Sequence, residues 1–319
     1  MHVNRASEIV LLRPDDTHDV RILVFGAGAM GSLFGGLLSA RHDVTLIGRK
    51  EHVEAIRRHG LRITGKTSRI ARPRTGTRVP RGASPQLVLV ATKAFDTAAA
   101  TKQIAPIGSD PVVLSLQNGL DNGDVVAKGV RRVVVGTTSH GVTFLGPGEI
   151  RHAGTGETVI GPWANVGDED LVRLRALLED AGIPTRIASD VRTELWAKAV
   201  INASINPLAA LARVPNGRLV KDPRLARTFE AVCLEAARVA KAEGAAIDPA
   251  GVLHRTVLVA RRTATNRCSM LQDLDRGRRT EIDSITGAIV RAAHRRDLPV
   301  PLNEALYALV RAREGSGSV

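Results

Sequence analysis

The chain has 319 residues, of which 44% are hydrophobic, and it carries a formal net charge of +13. This length is ample for a hydrophobic core and makes two domains the default organisation. The charge raises the question of nucleic acid, but the arginines are scattered and only 3% of the residues are aromatic. Because single-strand binding normally uses aromatic stacking platforms, we expect no nucleic-acid partner.

Cysteine, histidine and hydropathy patterns argue against several other classes of protein. Cys233 and Cys268 lie far apart and form no CxxC pair, so we expect no structural disulfide and a cytoplasmic location. The nine histidines show no close pairing, so we expect no metal site. No apolar run approaches the roughly 18 residues of a membrane span. Residues 1–20 hold too short an apolar stretch for a secretory signal and are predicted to be an extension.

The first predicted unit is a strand, a glycine-rich turn, a helix and a second strand. Residues 21–26 read RILVFG, residues 26–31 read GAGAMG, Ser32–Ala40 is an apolar helical stretch, and Asp43–Gly48 reads as a strand. A GxGxxG motif in this context is the fingerprint of a dinucleotide-binding unit.

Each glycine of the motif has a predicted role in cofactor binding. Gly26 would make the tight turn, Gly28 would let the backbone approach the pyrophosphate, and Gly31 would pack the helix against the strand. Ala29 and Met30 lie between them, where free N–H groups of the helix N-terminus face the phosphates.

The end of the second strand indicates which dinucleotide is bound. An NAD site usually places Asp or Glu there to bind the ribose 2′-hydroxyl. This strand instead ends in Gly48-Arg49-Lys50, and the donor fork of Arg49 can pair with a 2′-phosphate. The sequence therefore predicts NADP(H) over NAD(H); the alternative is a surface arginine in an Arg-rich chain.

Strands and helices continue to alternate as far as residue 188. The predicted elements are a helix at 50–59, β-hairpins at 61–79, a strand at 86–91, an Ala-rich helix after 97, strands at 111–116 and 132–136, paired strands at 137–161, a helix at 168–181 and a strand at 183–188. Lys93 and Asn118 lie just past the strands at 86–91 and 111–116. Ligands of open α/β sheets bind at that edge, so both are site candidates. For Asn118-Gly119 an ordinary turn is the alternative.

The alternation stops beyond Ser189, and residues 190–313 show helical periodicity almost throughout. We therefore predict a domain at 21–189 and a second, helical domain at 190–313. Residues 314–319 are predicted to be a flexible tail.

The helical half begins with a stripe of three polar residues in an apolar helix. Lys198, Asn202 and Asn206 lie at i, i+4 and i+8 and so share one face. Pro207 follows and is predicted to end or kink the helix. Only eight of the 45 basic residues are Lys, and a partly buried lysine, unlike arginine, can release its proton. The stripe thus suggests proton transfer at Lys198; the alternative is a half-exposed helix whose lysine reaches solvent.

A second group of polar residues follows at Ser269 and Glu281. Ser269 could donate to a carboxylate, and Glu281 could orient a lysine ammonium or bind a substrate hydroxyl. The alternative is structural: Ser269 caps a helix and Glu281 occupies the first turn of the next helix.

In combination, these motifs resemble those of the ketopantoate reductase family. The matching pieces are GAGAMG at 26–31, Arg49, TKAFDT at 92–97, QNG at 117–119, LWAKAVINASINPLAAL at 195–211, PNG at 215–217, SMLQD at 269–273, TEID at 280–283 and PVPLN at 299–303. They run in family order over residues 21–310. Residues 1–20 lie outside the pattern, and Cys268 stands where Ser or Thr is expected.

The resemblance implies a Rossmann-type α/β domain followed by an all-α domain, with the active site in the cleft between them. It implies NADPH-dependent reduction of 2-dehydropantoate to (R)-pantoate, on the route to pantothenate and coenzyme A. Lys198 matches the general acid, Glu281 a carboxylate that helps to organise it, and Lys93 a cofactor-side lysine. The residues that match positions holding substrate or nicotinamide are Asn118, Asn202, Asn206 and Ser269, and Asn216 matches a further motif asparagine expected at the substrate.

Two alternative functions stay open, as does the choice between a monomer and a homodimer. A paralogue could reduce another branched 2-oxo acid, because the matched residues do not define the volume of the pocket. A non-catalytic NADPH sensor would keep the glycine motif and Arg49 but would not need the polar stripe.

Overall fold

The computed structural model describes residues 19–315, so the predictions for residues 1–18 and 316–319 lie outside the described residues. Residues 314 and 315, predicted to begin a flexible tail, instead belong to the last helix. The strands are β1 (Arg21–Phe25), β2 (Asp43–Ile47), β3 (Leu61–Gly65), β4 (Arg69–Ala71), β5 (Arg74–Gly76), β6 (Leu87–Val90), β7 (Val112–Ser115), β8 (Val133–Thr138), β9 (Gly141–Gly146), β10 (Glu149–Gly154), β11 (Thr158–Ala164) and β12 (Thr185–Ile187). The helices are α1 (Ala29–Leu38), α2 (Lys50–His59), α3 (Thr97–Ile104), α4 (Asn122–Ala127), α5 (Asp168–Asp180), α6 (Val191–Ala212), α7 (Arg218–Lys221), α8 (Pro223–Ala242), α9 (Pro249–Arg262), α10 (Ser269–Asp275), α11 (Thr286–Arg295) and α12 (Pro301–Gly315).

Eight strands of the first half form one sheet in the order β12-β11-β8-β7-β6-β1-β2-β5. The strands from β8 to β5 are parallel, and β11 is antiparallel to β8. All four residues of β6 are buried, as expected for a parallel strand that helices cover on both faces.

Alternate residues of β1 supply the two separate cores of this layered domain. Ile22 and Val24 pack in one apolar cluster with residues of α1 and α5, whereas Leu23 and Phe25 pack in another with residues of α3. Side chains of a strand point alternately to opposite faces, so helices lie on both faces of the sheet. Beyond residue 188, the described chain up to residue 315 contains helices and no strand. The predicted α/β domain followed by an all-α region is confirmed.

The strand order reverses between β1 and β6, because β2 follows on one side of β1 and β6 lies on the other. Such a switch point opens a crevice at the carboxyl ends of the strands. The residues at this edge include Gly26 after β1, Lys93 after β6, Asn118 after β7 and Thr138 at the end of β8.

A second sheet, in the order β4-β3-β10-β9, packs against α1. The predicted hairpins at 61–79 are only half right: β3 and β4 form a hairpin, but β5 joins the large sheet parallel to β2. Gly36 of α1 allows the close approach of the small sheet, since a Cβ there would lie 2.7 Å from Cδ1 of Ile63.

Helix α6 continues through Pro207 as far as Ala212, so the helix does not end at the proline. A proline removes one hydrogen bond of the ladder, and here α8, α9 and α10 all pack against the same helix and hold it. The helix starts at the N-cap Asp190, which accepts the N–H of Arg192 at 2.9 Å. Among the helices at residues 19–315, none combines the length and the apolarity that crossing a bilayer requires.

Candidate active site

The loop between β1 and α1 has the geometry that its three glycines were predicted to allow. Gly26 has φ of +106°, and a Cβ on Gly31 would lie 2.1 Å from the carbonyl oxygen of Gly26. Gly28 is exposed, and a Cβ there would meet nothing within 4 Å. Ala29 and Met30 form the start of α1, and Met30 packs against the core. The loop therefore fits a dinucleotide, because the N-terminal N–H groups of α1 stay open to a phosphate.

Arg49 lies where the second strand reaches this loop. Gly26 and Ala27 donate their N–H groups to the carbonyl oxygen of Ile47 at 3.0 and 2.8 Å, which fixes the tip of β2 against the glycine loop. Arg49 is exposed at the start of α2, and no hydrogen bond or ion pair joins its side chain to the rest of residues 19–315. Its guanidinium is thus available to an anion beside the loop.

Glu281 connects the helical half of the chain to two loops at the sheet edge. It lies in the turn between α10 and α11 and is 6% exposed. Its Oε1 accepts the backbone N–H of Ala94 at 3.2 Å, and its Oε2 accepts Nδ2 of Asn118 at 3.0 Å. Nζ of Lys93 lies 3.4 Å from the same Oε2. These donors compensate the burial of the carboxylate.

Lys93 is held as a fixed cation at the junction of the two halves. Its Nζ lies 2.7 Å from Oδ2 of Asp273 on α10. Burial opposes the charge of Lys93, but the carboxylates of Glu281 and Asp273 outweigh burial and raise the pKa of Lys93. The sequence analysis did not single out Asp273, although it stands four residues after Ser269 in the SMLQD motif and so shares a helix face with it.

The surroundings of Lys198 shift its pKa in the opposite direction from that of Lys93. Its Nζ donates to the carbonyl oxygen of Thr138 at 2.9 Å, which places the amine at the end of β8. Burial lowers the pKa of Lys198 to about 8, with the negative charge of Glu281 opposing part of that change. A group with such a pKa is charged at neutral pH and can still give up its proton. A backbone partner such as the Thr138 carbonyl leaves no signal in the sequence.

Asn202 and Asn206 follow Lys198 along α6, as the spacing predicted. Asn206 is 8% exposed and Asn202 is half-buried. Neither side-chain amide has a hydrogen-bond partner within residues 19–315. Buried amides are normally paired, so these groups are available to donate to and accept from a polar ligand.

Buried polar residues that the sequence analysis missed support the loop that carries Asn118. Nε2 of Gln117 donates to Oγ1 of Thr97 at 2.7 Å, and Nδ2 of Asn122 donates to the carbonyl oxygen of Asn118 at 2.8 Å. Gly119 has φ of +107° and packs so closely on the helical half that a Cβ would lie 2.7 Å from the Ser284 carbonyl oxygen. The loop is therefore fixed from both sides.

The alternative, structural interpretation of Ser269 and Glu281 is wrong in both parts. The N-cap of α10 is Cys268, whose Sγ accepts the N–H of Leu271 at 3.4 Å, and Ser269 is the exposed first residue of the helix. Glu281 precedes α11, which begins only at Thr286.

Asn216 makes no hydrogen bond, within residues 19–315, with another predicted site residue. Its Nδ2 donates to Oγ1 of Thr263 at 2.9 Å, which ties the start of α7 to the end of α9. No hydrogen bond links it to Lys198 or Glu281. The structure thus gathers Lys93, Asn118 and Glu281 into one hydrogen-bonded group, and it places Asn216 in the packing of the helical half.

Comparisons with known proteins identify the family of this chain. The model of the family "Ketopantoate reductase PanE/ApbA" matches residues 22–165, and the model of its C-terminal part matches residues 190–314. The 2-dehydropantoate 2-reductase of Halobacterium salinarum is 40% identical, over 93% of this chain and 100% of its own. The enzyme of that name from Pyrococcus horikoshii is 37% identical, over 93% and 99%.

Solved structures show the same similarity. A PanE/ApbA family ketopantoate reductase from Ralstonia eutropha superimposes with a TM-score of 0.85 at 35% identity, covering 93% of this chain and 99% of its own. A D-mandelate dehydrogenase in complex with NADH and anilino(oxo)acetate gives a TM-score of 0.88 at 28% identity, covering 94% and 100%. With family models matching both halves and relatives matching over nearly their whole length, this chain belongs to the ketopantoate reductase PanE/ApbA family.

Proposed function

We propose that the protein reduces 2-dehydropantoate to (R)-pantoate with NADPH, with Lys198 as the general acid. The observation that carries the proposal is a lysine of lowered pKa, followed on one helix by the free amides of Asn202 and Asn206. Its amine lies at the same sheet edge as the glycine loop. The activity for which the two relatives are named, 2-dehydropantoate 2-reductase, supports the choice of substrate.

The residues of the glycine loop and Arg49 would hold the dinucleotide, which supplies a hydride when it is bound. Lys198 donates the proton that the carbonyl oxygen of the substrate needs, and its charge stabilises the negative charge that develops there. Burial lowers the pKa of Lys198, and the negative charge of Glu281 raises it in part and so favours the protonated amine. Oε2 of Glu281 also accepts a hydrogen bond from Nδ2 of Asn118. This bond fixes the orientation of the Asn118 amide and leaves Oδ1 of Asn118 available to a ligand. Lys93 stays charged beside them and supplies a fixed positive charge on the cofactor side.

The domain division is part of the same proposal. We assign cofactor binding to residues 21–189 and substrate binding to residues 190–313. Helix α6 begins at Val191 and the second family model begins at residue 190, which supports this boundary. Ser269, the exposed first residue of α10, belongs to the proposed substrate side, whereas Asn216 is buried with its Nδ2 bonded to Thr263 and is given no ligand contact in this proposal.

We also propose a reducing, cytoplasmic setting and no nucleic-acid partner. Both cysteines are buried and free, which agrees with a reducing compartment. Salt-sensitive binding of duplex DNA in the absence of cofactor would contradict the second part.

The direct test is oxidation of NADPH, followed by absorbance, across a panel of 2-oxo acids with NADH as the control cofactor. We expect the highest kcat/KM for the pair of 2-dehydropantoate and NADPH. No turnover with any 2-oxo acid would support the non-catalytic sensor instead.

A second candidate function is the reduction of a 2-oxo acid with an aromatic branch. It is favoured by the similarity to D-mandelate dehydrogenase at a TM-score of 0.88. The panel should therefore include benzoylformate, the oxidised form of mandelate. A higher kcat/KM for benzoylformate than for 2-dehydropantoate would assign the protein to this second function.

Replacing Arg49 by alanine should raise the KM for NADPH about 10- to 100-fold, because a hydrogen-bonded pair with a charged group contributes about 1.5–3 kcal/mol. The KM for NADH, which lacks the 2′-phosphate, should change little. The matched control is Lys50→Ala, which removes the neighbouring exposed charge. Equal losses with both cofactors would show that Arg49 does not select NADPH.

The kcat/KM for reduction should fall as the pH rises through about 8, because Lys198 must carry the proton that it donates. This parameter reports the pKa of the free enzyme. A constant kcat/KM up to about pH 10, the ordinary range of lysine, would contradict the role of Lys198 as the acid.

A further inference from the structure

The loop between α10 and α11 carries Glu281 but belongs to no helix or strand. Four of its residues contact the cofactor half: Glu281, Ser284, Arg276, which donates to the carbonyl oxygen of Phe144 at 3.3 Å, and Arg279, whose guanidinium lies 4.7 Å from the ring centroid of Phe95. The carboxylate of Glu281 meets Asn118 and Lys93, and the carbonyl oxygen of Ser284 accepts the N–H of Leu120 at 3.3 Å. The path of this loop therefore decides where the carboxylate of Glu281 lies.

The other side of the loop is anchored to the C-terminal helix α12. Oε1 of Glu314 accepts the backbone N–H of Thr280, the residue just before Glu281, at 2.6 Å. The hydroxyl of Tyr307 donates to Oδ1 of Asp283, two residues after Glu281, at 2.8 Å. Nη1 of Arg311 connects these anchors, at 2.7 Å from Oε2 of Glu314 and 3.5 Å from Oδ2 of Asp283.

The hydrogen bond that the backbone N–H of Thr280 donates to Glu314 is important for this loop, because the N–H is buried. Thr280 is 1% exposed, so its backbone N–H needs a protein acceptor. The side chain of Glu314 is 8% exposed, and a hydrogen bond to a buried charged group is stronger than a neutral one. The last turn of α12 thus holds the residue next to Glu281.

We propose that Glu314, assisted by Tyr307, is a positioning residue of the reductase site. It holds Thr280 so that Glu281 meets Lys93 and Asn118 and places its negative charge where it acts on Lys198. Glu314 acts through the loop, because within residues 19–315 no hydrogen bond or ion pair joins its side chain directly to Glu281, Lys93 or Lys198. The inference rests on the proposed function, because it concerns the same site.

The test compares Glu314→Ala with Glu314→Gln. Glutamine keeps an oxygen acceptor for the N–H of Thr280, whereas alanine leaves none. We expect alanine to lower kcat/KM about tenfold, the scale of one lost hydrogen bond to a charged group. We expect glutamine to stay close to the wild-type value, and both variants to bind NADPH as the wild type does.

A second readout separates positioning from a general loss of stability. When Glu281 is displaced, its charge no longer raises the pKa of Lys198. The pKa of the Lys198 amine, measured by NMR on ¹⁵N-lysine-labelled protein, should therefore fall in Glu314→Ala but not in Glu314→Gln. Tyr307→Phe, which removes the hydroxyl that is bonded to Asp283, should also lower the pKa of Lys198.

The matched control is Glu304→Ala, because Glu304 lies on the same helix and pairs with His294 instead of the loop. It should leave both kcat/KM and the pKa of Lys198 unchanged. An unchanged pKa of Lys198 in Glu314→Ala would overturn the inference. A loss of kcat/KM in Glu314→Gln and Glu304→Ala as large as the loss in Glu314→Ala would also overturn it. Because the NMR measurement needs no turnover, it decides the inference even if the wild-type protein reduces no 2-oxo acid, a result that would overturn only the proposed function.

Discussion

Replacing Lys198 by alanine is expected to lower kcat by at least about a hundredfold, which is the usual contribution of a general acid. The variant loses the proton donor and also the charge that would stabilise the developing oxyanion. Alanine is a strong helix former, so α6 should persist. The affinity for NADPH, measured by nicotinamide fluorescence without substrate, should barely change, because the glycine loop and Arg49 lie outside α6.

Two further variants sharpen this experiment. Lys198→Arg keeps the positive charge but replaces an amine that can release its proton by a guanidinium that does not. Its kcat should therefore stay low. Lys102→Ala removes an exposed lysine of α3 and should have no effect. Normal turnover in Lys198→Ala would remove Lys198 from the mechanism, and full activity in Lys198→Arg would limit its role to electrostatic stabilisation.

The protein should lose stability as the pH falls from about 6.5 towards 4, because two buried histidines stay neutral in the folded state while the unfolded chain takes up their protons. Burial lowers the pKa of His52 to about 4, and burial together with the neighbouring His152 lowers the pKa of His140 to about 4. Nδ1 of His52 accepts the N–H of Gly148 at 2.9 Å, a bond that protonation would break. Nδ1 of His140 lies 3.0 Å from Nε2 of His152.

The direction in which the free energy of unfolding changes with pH follows from proton binding in the folded and unfolded states. In the unfolded chain a histidine has a pKa of about 6.5, so between about pH 6.5 and 4 the unfolded state binds more protons than the folded state. The free energy of unfolding therefore rises with pH over this interval and is fully present above it. By pH 4 the two imidazoles together should remove on the order of several kcal/mol, a large part of the roughly 5–15 kcal/mol by which a typical domain is stable.

Urea unfolding at a series of pH values measures this effect. His52→Asn keeps an acceptor for the N–H of Gly148 but cannot be protonated in this range, so its free energy of unfolding should depend less on pH. The control is His254→Asn, on an exposed position of α9. A free energy of unfolding that stays constant between about pH 6.5 and 4 would contradict the prediction.

The contrast between Lys93 and Lys198 explains how one small site can hold two lysines with different tasks. Lys93 has two carboxylate partners, which keep it charged. Lys198 has a backbone carbonyl as its hydrogen-bond partner, and burial leaves its proton more easily lost. The sequence marks both residues as candidates, but their different pKa values arise from neighbours far away in the chain.

Local sequence patterns determined the α/β fold of the first half, the glycine loop and the face that Lys198 shares with Asn202 and Asn206. These features depend on periodicity and on backbone conformations that only glycine adopts readily, and both are encoded within a few adjacent residues. The local sequence was also sufficient to predict that Arg49, and no carboxylate, follows the second strand.

The tertiary structure alone decided the partners of these residues. Asp273 and Glu281 reach Lys93 from about 180 and 188 positions away, and no local pattern specifies a contact across that separation. The helices packed around α6 let it continue through Pro207, where the local rule predicted an end or a kink. Burial and charge depend on every element that surrounds a group, so the pKa of Lys198 became defined only when the two halves of the chain came together.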